Sequence, residues 1–311
     1  MIYTVTLNPA LDKTVEIPGM ALDTVNRITA MRTDPGGKGI NVSKVIAKLG
    51  GTSVALALLG GGTGRAIADA LEEMGLRCEL QFVEGETRTN LKVVDPVNHT
   101  NTDLNEPGIS VTSAVLDGLL DRLIGLLQTG DLVVLSGSLP KGAPGDTYYT
   151  WVARCKEAGA KVFLDADGAL LAEGLRAAPD LVKPNQDELS RLVGHPLETV
   201  EALADAAGAL LADGVQKVVV SMGGKGALYV TRDTVLYAEG LKVPVGSTVG
   251  AGDSVVAALA VAETQGLSLE DTVRLSTATG AANVMCSGSQ AAERSVIEEL
   301  MPQVVFHRLR G

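Results

Sequence analysis

Disulfide-forming residues are nearly absent from this chain. Cysteine occurs three times in 311 residues, as Cys78, Cys155 and Cys286. The three are widely spaced and odd in number, which excludes a disulfide framework and leaves no metal-ligand spacing; inert thiols of a reducing, cytoplasmic compartment are expected. The histidines, His99, His195 and His307, are too dispersed for a catalytic triad or a zinc centre. Aromatic residues make up only 3% of the chain, too few for a base-stacking surface, so Trp151 and Phe163 are read as core residues. No stretch of about 18 uncharged apolar residues occurs, which excludes a transmembrane helix. The opening MIYTVTLNPALDKT carries Asp12 directly after a short apolar run and lacks the basic start of a secretory signal. Positive charge is the minority, 26 Lys+Arg against 37 Asp+Glu, for a net charge of −11. An acidic field of that size repels nucleic-acid backbones but leaves room for a phosphorylated metabolite in a locally basic pocket.

Glycine, by contrast, is abundant at 36 residues, and small residues permit close packing and close backbone approach to ligands. The length allows roughly two domains. Short apolar runs at Met1–Leu7, Ser53–Leu59, Asp131–Leu135, Lys161–Leu164, Leu181–Val182 and Lys217–Ser221 read as strands of a buried parallel sheet. Helical spacing lies between them, as at Val42, Val45, Ile46 and Leu49, and again over roughly 115–127, 145–158, 200–213, 253–265 and 269–284. The alternation predicts a three-layer α/β domain with a mostly parallel central sheet and its site at the carboxyl ends of the strands. Residues 12–35 and 86–106 break the rhythm with alternating segments such as TRTNLKVV. They predict a small, discontinuous β-sheet, serving as a lid, a dimer surface or a sheet extension. The main domain then comprises 1–11, 36–85 and 107–311.

Several strand ends carry chemistry. In DPGGKGINVSKVIAKLG (34–50), Gly37 and its neighbours free backbone amides before a helix, Lys38 adds a cation, and Asn41 sits on the opening turn, a pattern suited to a phosphorylated ligand. The spacing is not that of a Walker A loop, and LLGGGTGRAIADAL (58–71) fails the dinucleotide fingerprint at Ile67. In VGSTVGAGDSVVAALAVA (245–262), Gly250, Ala251 and Gly252 expose amides at a helix start and Asp253 lies in its first turn. Such amides can hold a transferring phosphoryl group while the aspartate accepts a hydroxyl proton, or Asp253 can simply cap the helix. KPNQDE (183–188) follows a strand, and its Asn185 and Glu188, three apart, can organise metal-bound water around phosphates. VVVSMGGKGALYV (218–230) places a further glycine turn at a strand end.

Taken with SGSLPKG (136–142) and TVGAGD, these segments resemble the ribokinase/PfkB family of sugar kinases over essentially the whole chain. TLNPALD (6–12), GGKGINV and GETRTNLK (85–92) resemble its phosphosugar branch. The resemblance implies an ATP- and Mg²⁺-dependent kinase with a β-sheet lid that often forms a homodimer interface, with no nucleic-acid or membrane partner. It implies Asp253 as catalytic base and Gly250, Ala251 and Gly252 as anion hole. It implies Asp12, Gly37, Lys38, Asn41, Arg88 and Ser136 on the sugar-phosphate side, Lys38 and Arg88 sharing the phosphate. On the nucleotide side it implies Lys183, Asn185, Glu188, Ser221, Gly223, Gly226 and, near the adenine, Asn283; Asn185 and Glu188 would reach the metal through water. The expected reaction is ATP-dependent phosphorylation of the C6 hydroxyl of D-fructose 1-phosphate. D-tagatose 6-phosphate and, behind it, fructose 6-phosphate are the alternative substrates. Two stretches depart from the family pattern: DADGALL (165–171), with Ala166 and Asp167 before its glycine, and LNEPG (104–108).

Overall fold

The computed structural model describes residues 1–311. In chain order the strands are β1 (Ile2–Thr6), β2 (Ala10–Glu16), β3 (Ala30–Gly36), β4 (Ser53–Gly60), β5 (Arg77–Val83), β6 (Arg88–Asp95), β7 (Thr100–Asn105), β8 (Leu132–Ser136), β9 (Lys161–Asp165), β10 (Leu181–Val182), β11 (Lys217–Ser221), β12 (Gly226–Thr231), β13 (Val235–Glu239) and β14 (Phe306–Arg310). The helices are α1 (Lys38–Lys48), α2 (Gly61–Glu73), α3 (Ser113–Leu126), α4 (Thr147–Glu157), α5 (Gly168–Leu175), α6 (Gln186–Val193), α7 (Val200–Ala212), α8 (Ala251–Gln265), α9 (Leu269–Val284) and α10 (Arg294–Leu300).

The continuous apolar runs become strands because both faces of the sheet they form are covered. Along β8, Val133 and Leu135 enter one core of 36 buried residues with α3 to α7. Leu132 and Val134 enter another, of 29, with α1, α8, α9 and α10. The cores are similar in size, so the body has three layers with neither face left to solvent. The helical stripe of α3, Leu116, Leu119, Leu120 and Leu123, all points inward. Helix α8 is instead buried almost all round, from Val256 to Ala262, which its alanines permit.

The ten-stranded sheet runs β14-β13-β12-β11-β10-β9-β8-β1-β4-β5. From β11 to β5 all pairings are parallel, and β12, β13 and β14 extend one edge antiparallel. The predicted mostly parallel three-layer fold is therefore the fold found. The edge strands β5 and β14 go beyond the predicted set: β5 is half covered and β14 largely solvent-facing, so neither carries a buried run.

A separate four-stranded sheet has the order β3-β2-β6-β7. Its strands occupy 10–16, 30–36, 88–95 and 100–105, within or beside the two segments that break the helical rhythm; residues 17–29 add no strand to it. The three cysteines are free thiols, and burial pushes Cys155 up to about 12. No helix is long and apolar enough to cross a membrane.

Candidate active site

The small sheet overhangs the carboxyl ends of the body strands and encloses with them a cavity of about 690 Å³. Of its 24 lining residues only Leu170 and Val249 are hydrophobic, so it suits a highly polar ligand. Strand periodicity decides what the lid contributes. Asp12 and Thr14 of β2, Arg88, Asn90 and Lys92 of β6, and Asp103 and Asn105 of β7 share the inward face. Asn90 Nδ2 donates to Asp12 Oδ1 at 3.1 Å. Gly36, opposite, leaves the room Asp12 occupies, since a Cβ there would lie 2.1 Å from Asp12 Oδ2. Burial raises the Asp12 carboxyl above its ordinary range, against the opposing pull of Asn90, Lys44 and Arg88.

Arg88 is clamped by backbone. Its Nε donates to Pro9 O at 3.4 Å, Nη1 to Glu106 O at 3.4 Å and Nη2 to Asn8 O at 2.9 Å. A guanidinium has five N–H groups, so two remain for a ligand, in a fixed fork suited to phosphate.

Across the cavity lies Asp253, in the first turn of α8 and 7% exposed. Gly250 precedes the helix with φ of +76°, a left-handed conformation that glycine adopts without strain, and the Ala251 amide after it donates to Thr248 O at 3.4 Å. Asp253 does not cap the helix: the cap residue is Gly250, without a side-chain cap bond. Its Oδ2 instead accepts from Asn41 Nδ2 at 2.8 Å. Burial raises the Asp253 carboxyl; Lys38, Asn41 and Lys183 pull the other way, while Asp165 adds to the rise. The result is a carboxylate more basic than usual, among cations.

Asp165, at the end of β9, organises those cations. Lys38 Nζ lies 3.2 Å from its Oδ2 and Lys183 Nζ 3.5 Å from its Oδ1. Burial works against the charge on Asp165, but Lys183 and Lys38 outweigh it and hold the carboxyl below its usual range. Lys38 is in turn held protonated by Asp165 and Asp253 despite its burial. Lys38 and Arg88 are thus tied to different walls of the cavity, whereas the motif reading has them sharing one phosphate.

Gly37, Ser136 and Glu188 also line the cavity. Asn185 and Glu188 form a capping box on α6: Glu188 N donates to Asn185 Oδ1 and Asn185 N to Glu188 Oε2, each at 2.8 Å. No cluster of three or more histidine, cysteine or acidic side chains could hold a metal ion by itself. The single Glu188 carboxylate at the cavity wall, with only its Oε2 engaged by Asn185 N, is a donor of the kind Mg²⁺ accepts, since that ion keeps several waters and takes one or two carboxylates beside substrate phosphates. Lys183 lies under the Gly250–Gly252 turn, with a Cβ at Gly252 falling 3.3 Å from its Nζ.

Of the residues expected on the nucleotide side only Glu188 lines this cavity; Lys183, Asn185 and the others lie outside it. Ser221 ends β11 and bridges to Asn185, Gly223 opens a 3-10 turn, and Gly226 starts β12. Asn283 is 2% exposed and packs behind the Gly250 turn, its Nδ2 donating to Val249 O at 3.3 Å. It buttresses the turn from α9, and its Oδ1 is buried without a partner in the chain.

Three residues that lie in the quoted segments but are not singled out there prove central: Asp165, Lys44 and Asn8. Asn8 Nδ2 donates to Pro107 O (3.3 Å), Ser138 Oγ (3.2 Å) and Leu139 O (3.3 Å), joining the lid exit to the loop after β8. Asn8 Oδ1, Asn41 Oδ1, Asn90 Oδ1 and Ser136 Oγ are buried without a partner in the chain. Buried polar atoms are rarely left so, and together they form a lining ready for a hydroxyl-rich ligand. Asp167 pairs with Arg191 at 2.9 Å, both well exposed.

The comparisons agree with this geometry. Residues 5–295 match the model of the pfkB family carbohydrate kinases. The chain is 45% identical over 280 residues to a 1-phosphofructokinase of Xanthomonas campestris, covering 88% of each chain. It is 36% identical to a 1-phosphofructokinase of Bacillus subtilis, over 99% of this chain and all of that one. Crystal structures of phosphofructokinase-2 from Escherichia coli superpose well: the complex with substrates and products has a TM-score of 0.93 at 31% identity, covering 97% of this chain and 98% of that one. A possible 1-phosphofructokinase from Thermotoga maritima gives 0.89 at 29% identity over both full lengths. A polar crevice under a β-sheet lid, a buried aspartate beside a glycine-started helix and these relatives together identify the chain as a member of the pfkB family of carbohydrate kinases, an ATP-dependent sugar kinase.

Proposed function

We propose that this kinase phosphorylates the C6 hydroxyl of D-fructose 1-phosphate, giving fructose 1,6-bisphosphate and ADP. The observation that carries the reading is the opposition, across one polar cavity, of the basic Asp253 and the clamped Arg88 with two N–H groups to spare. The relatives named 1-phosphofructokinase support the same substrate.

In this reading Asp253 accepts the C6 proton as the hydroxyl attacks, a task its raised basicity favours. The amides of Gly250, Ala251 and Gly252 offset charge on the transferring group, as preorganised dipoles do in a site that excludes water. Lys38, fixed by Asp165 beside Asp253, serves the transferring phosphoryl, while Arg88 holds the phosphate already on the sugar. Asp12 and Asn41 orient sugar hydroxyls, and Ser136 and Gly37 complete that side. Lys183, Ser221, Gly223 and Gly226 flank the nucleotide, and Asn185 with Glu188 would hold the waters of a Mg²⁺ ion. That ion, when bound, supplies charge neutralisation on the nucleotide phosphates.

The outer lid face exposes Ile28, Met31 and Leu104; we assign it to pairing of two copies in a homodimer. The test is ADP release, coupled to an optical readout, with fructose 1-phosphate, tagatose 6-phosphate and fructose 6-phosphate as acceptors. The highest kcat/KM is expected on fructose 1-phosphate. A higher value on either other sugar replaces the substrate while leaving the kinase reading intact.

A further inference from the structure

The return strand of the lid, β3, ends in two cationic contacts that the proposed chemistry does not use. Arg32 of β3 bonds Asp34 Oδ2 through Nε at 2.8 Å and Nη2 at 2.6 Å. Its Nη2 also donates to Ser287 O at 2.8 Å, a residue 255 positions away in the body. Lys44 of α1, only 9% exposed, donates from Nζ to Pro35 O at 2.8 Å and to Ser289 O at 3.0 Å. The end of β3 is therefore fastened twice to the segment Ser287–Ser289.

Both sides of that fastening lead to the reacting groups. On the lid side Asp34 is the cross-strand neighbour of Asp12, and Gly36 is the residue against which the Asp12 carboxylate rests. On the body side Gly288 and Ser289 line the cavity together with Val249, Gly250 and Asp253. The segment before Gly250 is bound to the end of α9, with Gly246 N and Ser247 N donating to Val284 O at 2.8 and 3.1 Å. Burying an ammonium costs free energy that an apolar side chain of similar size would not, even when it finds acceptors. Lys44 has no carboxylate within salt-bridge distance; both its acceptors are backbone carbonyls, one in the lid strand and one in the body.

We infer that Arg32 and Lys44 are positioning residues that fix the lid carboxylate Asp12 relative to the Gly250–Asp253 turn, so that lid seating and completion of the phosphoryl-transfer site are one event. The inference rests on the reading of Asp12 as the group that orients sugar hydroxyls. Neither residue touches the reacting atoms; each acts through backbone that carries a group which does.

A double-mutant cycle between Arg32→Ala and Asp12→Asn tests this, read as kcat and as KM for each substrate of the intact enzyme. Arg32 is partly exposed, so its replacement leaves both cores untouched, and Lys44→Met, with Lys44→Arg as the conservative variant, probes the buried half. Arg32→Ala is expected to lower kcat on the sugar phosphate about tenfold with little change in KM for ATP, and millimolar guanidinium to restore part of it. In the Asp12→Asn background the same replacement is expected to be nearly silent, because the group it positions is already gone. Losses that multiply in the double variant overturn the positioning role while leaving the reading of Asp12 standing. A silent Asp12→Asn overturns that reading and the positioning role with it. If Lys44→Met fails to fold, the Arg32 cycle still decides.

Discussion

The body and the lid of this kinase are built on opposite principles. In the body, alternate residues of one strand enter two separate cores of comparable size. In the lid, Val15 and Val93 are nearly the only buried apolar residues, at 1% and 4% exposure, while Ile28 and Met31 lie more than half exposed at 54% and 59%. One lid face is polar and turned to the cavity; the other buries Val15 and Val93 within the chain and leaves Ile28, Met31 and Leu104 exposed. A region with few buried contacts opens at low free energy, whereas a doubly covered sheet opens only with global unfolding. The division matches the chemistry: Asp253, Lys38, Asp165 and Lys183 sit on body strand ends and helix starts, and Asp12 and Arg88 on the lid. Changes at the body groups should therefore strike kcat, and loss of the lid's Arg88 fork should strike recognition of the sugar phosphate, while the Arg32 fastening, which joins lid to body, reaches kcat from the lid side.

Asp253→Asn is the largest expected effect and the sharpest test of the body half. The substitution keeps size and the neighbourhood of Asn41 while removing the proton acceptor. A fall in kcat of about 10²–10⁴-fold with little change in either KM is expected from steady-state kinetics. A folded variant of near-parental kcat would remove Asp253 from the chemistry. The parent's pH profile carries the same information. Asp253 acts deprotonated and its carboxyl is raised by burial, so kcat should fall as pH drops through a value above the ordinary carboxylate range near about 3.9. Lys38 opposes that rise. Lys38→Met should therefore move the acid limb to still higher pH, and an unmoved limb would separate Lys38 from the base.

How far the sequence reached differs between the two regions for the same physical reason. Body strands such as Leu132–Ser136 announce themselves because burial on both faces forces an unbroken apolar run. Arg77–Val83, half covered at a sheet edge, and Phe306–Arg310, with His307, Arg308 and Arg310 facing solvent, become strands only through their neighbours. In the site, glycine turns are local signals, so Gly37, Lys38 and Gly250 to Asp253 were legible. Asp165 was not, because its meaning comes from Lys38, 127 positions away. Asn8, joined to Ser138 across 130 positions, and Lys44 share that property. Asn283 was legible only by position, because its bond to Val249 O joins residues 34 positions apart.

Arg88→Ala tests the lid half. Losing the fork should lower kcat/KM on fructose 1-phosphate about 10–100-fold, chiefly through KM, with KM for ATP nearly unchanged. Unphosphorylated fructose lacks the group that Arg88 is proposed to hold and should suffer far less. Equal fractional losses on both sugars would make Arg88 a structural clamp on Asn8 and Glu106 and would blur the division of labour. A smaller effect is expected from Ile28→Glu on the outer lid face. It should shift sedimentation toward the single chain and raise KM for the sugar phosphate a few-fold; an unshifted distribution would leave that face without its proposed second copy.

The smallest expected effect asks whether lid and body are separate units at all. Asp95, 3% exposed at the end of β6, gathers the two lid turns. Its carboxylate accepts from Gly19 N and Met20 N at 2.8 Å, Val97 N at 3.0 Å, Asn98 N at 3.2 Å and Asn98 Nδ2 at 2.7 Å. Burial works against the charge, but these donors outweigh it and hold the carboxyl well below the usual range. A group depressed on folding contributes stability above its unfolded value, and that contribution is lost as pH falls through the folded one. The lid turns should therefore loosen only in strong acid. Asp95→Asn keeps the shape but turns an amide NH₂ toward N–H donors, reproducing the loosening at neutral pH. Hydrogen exchange should quicken severalfold at 17–20 and 95–98 while β8 and β9 keep their protection and kcat stays near parental. Equal acceleration in β8 and β9 would mean that lid and body open together. The lid's scarcity of buried contacts would then carry no dynamic consequence, and substrate-linked closure would need a cause other than low local stability.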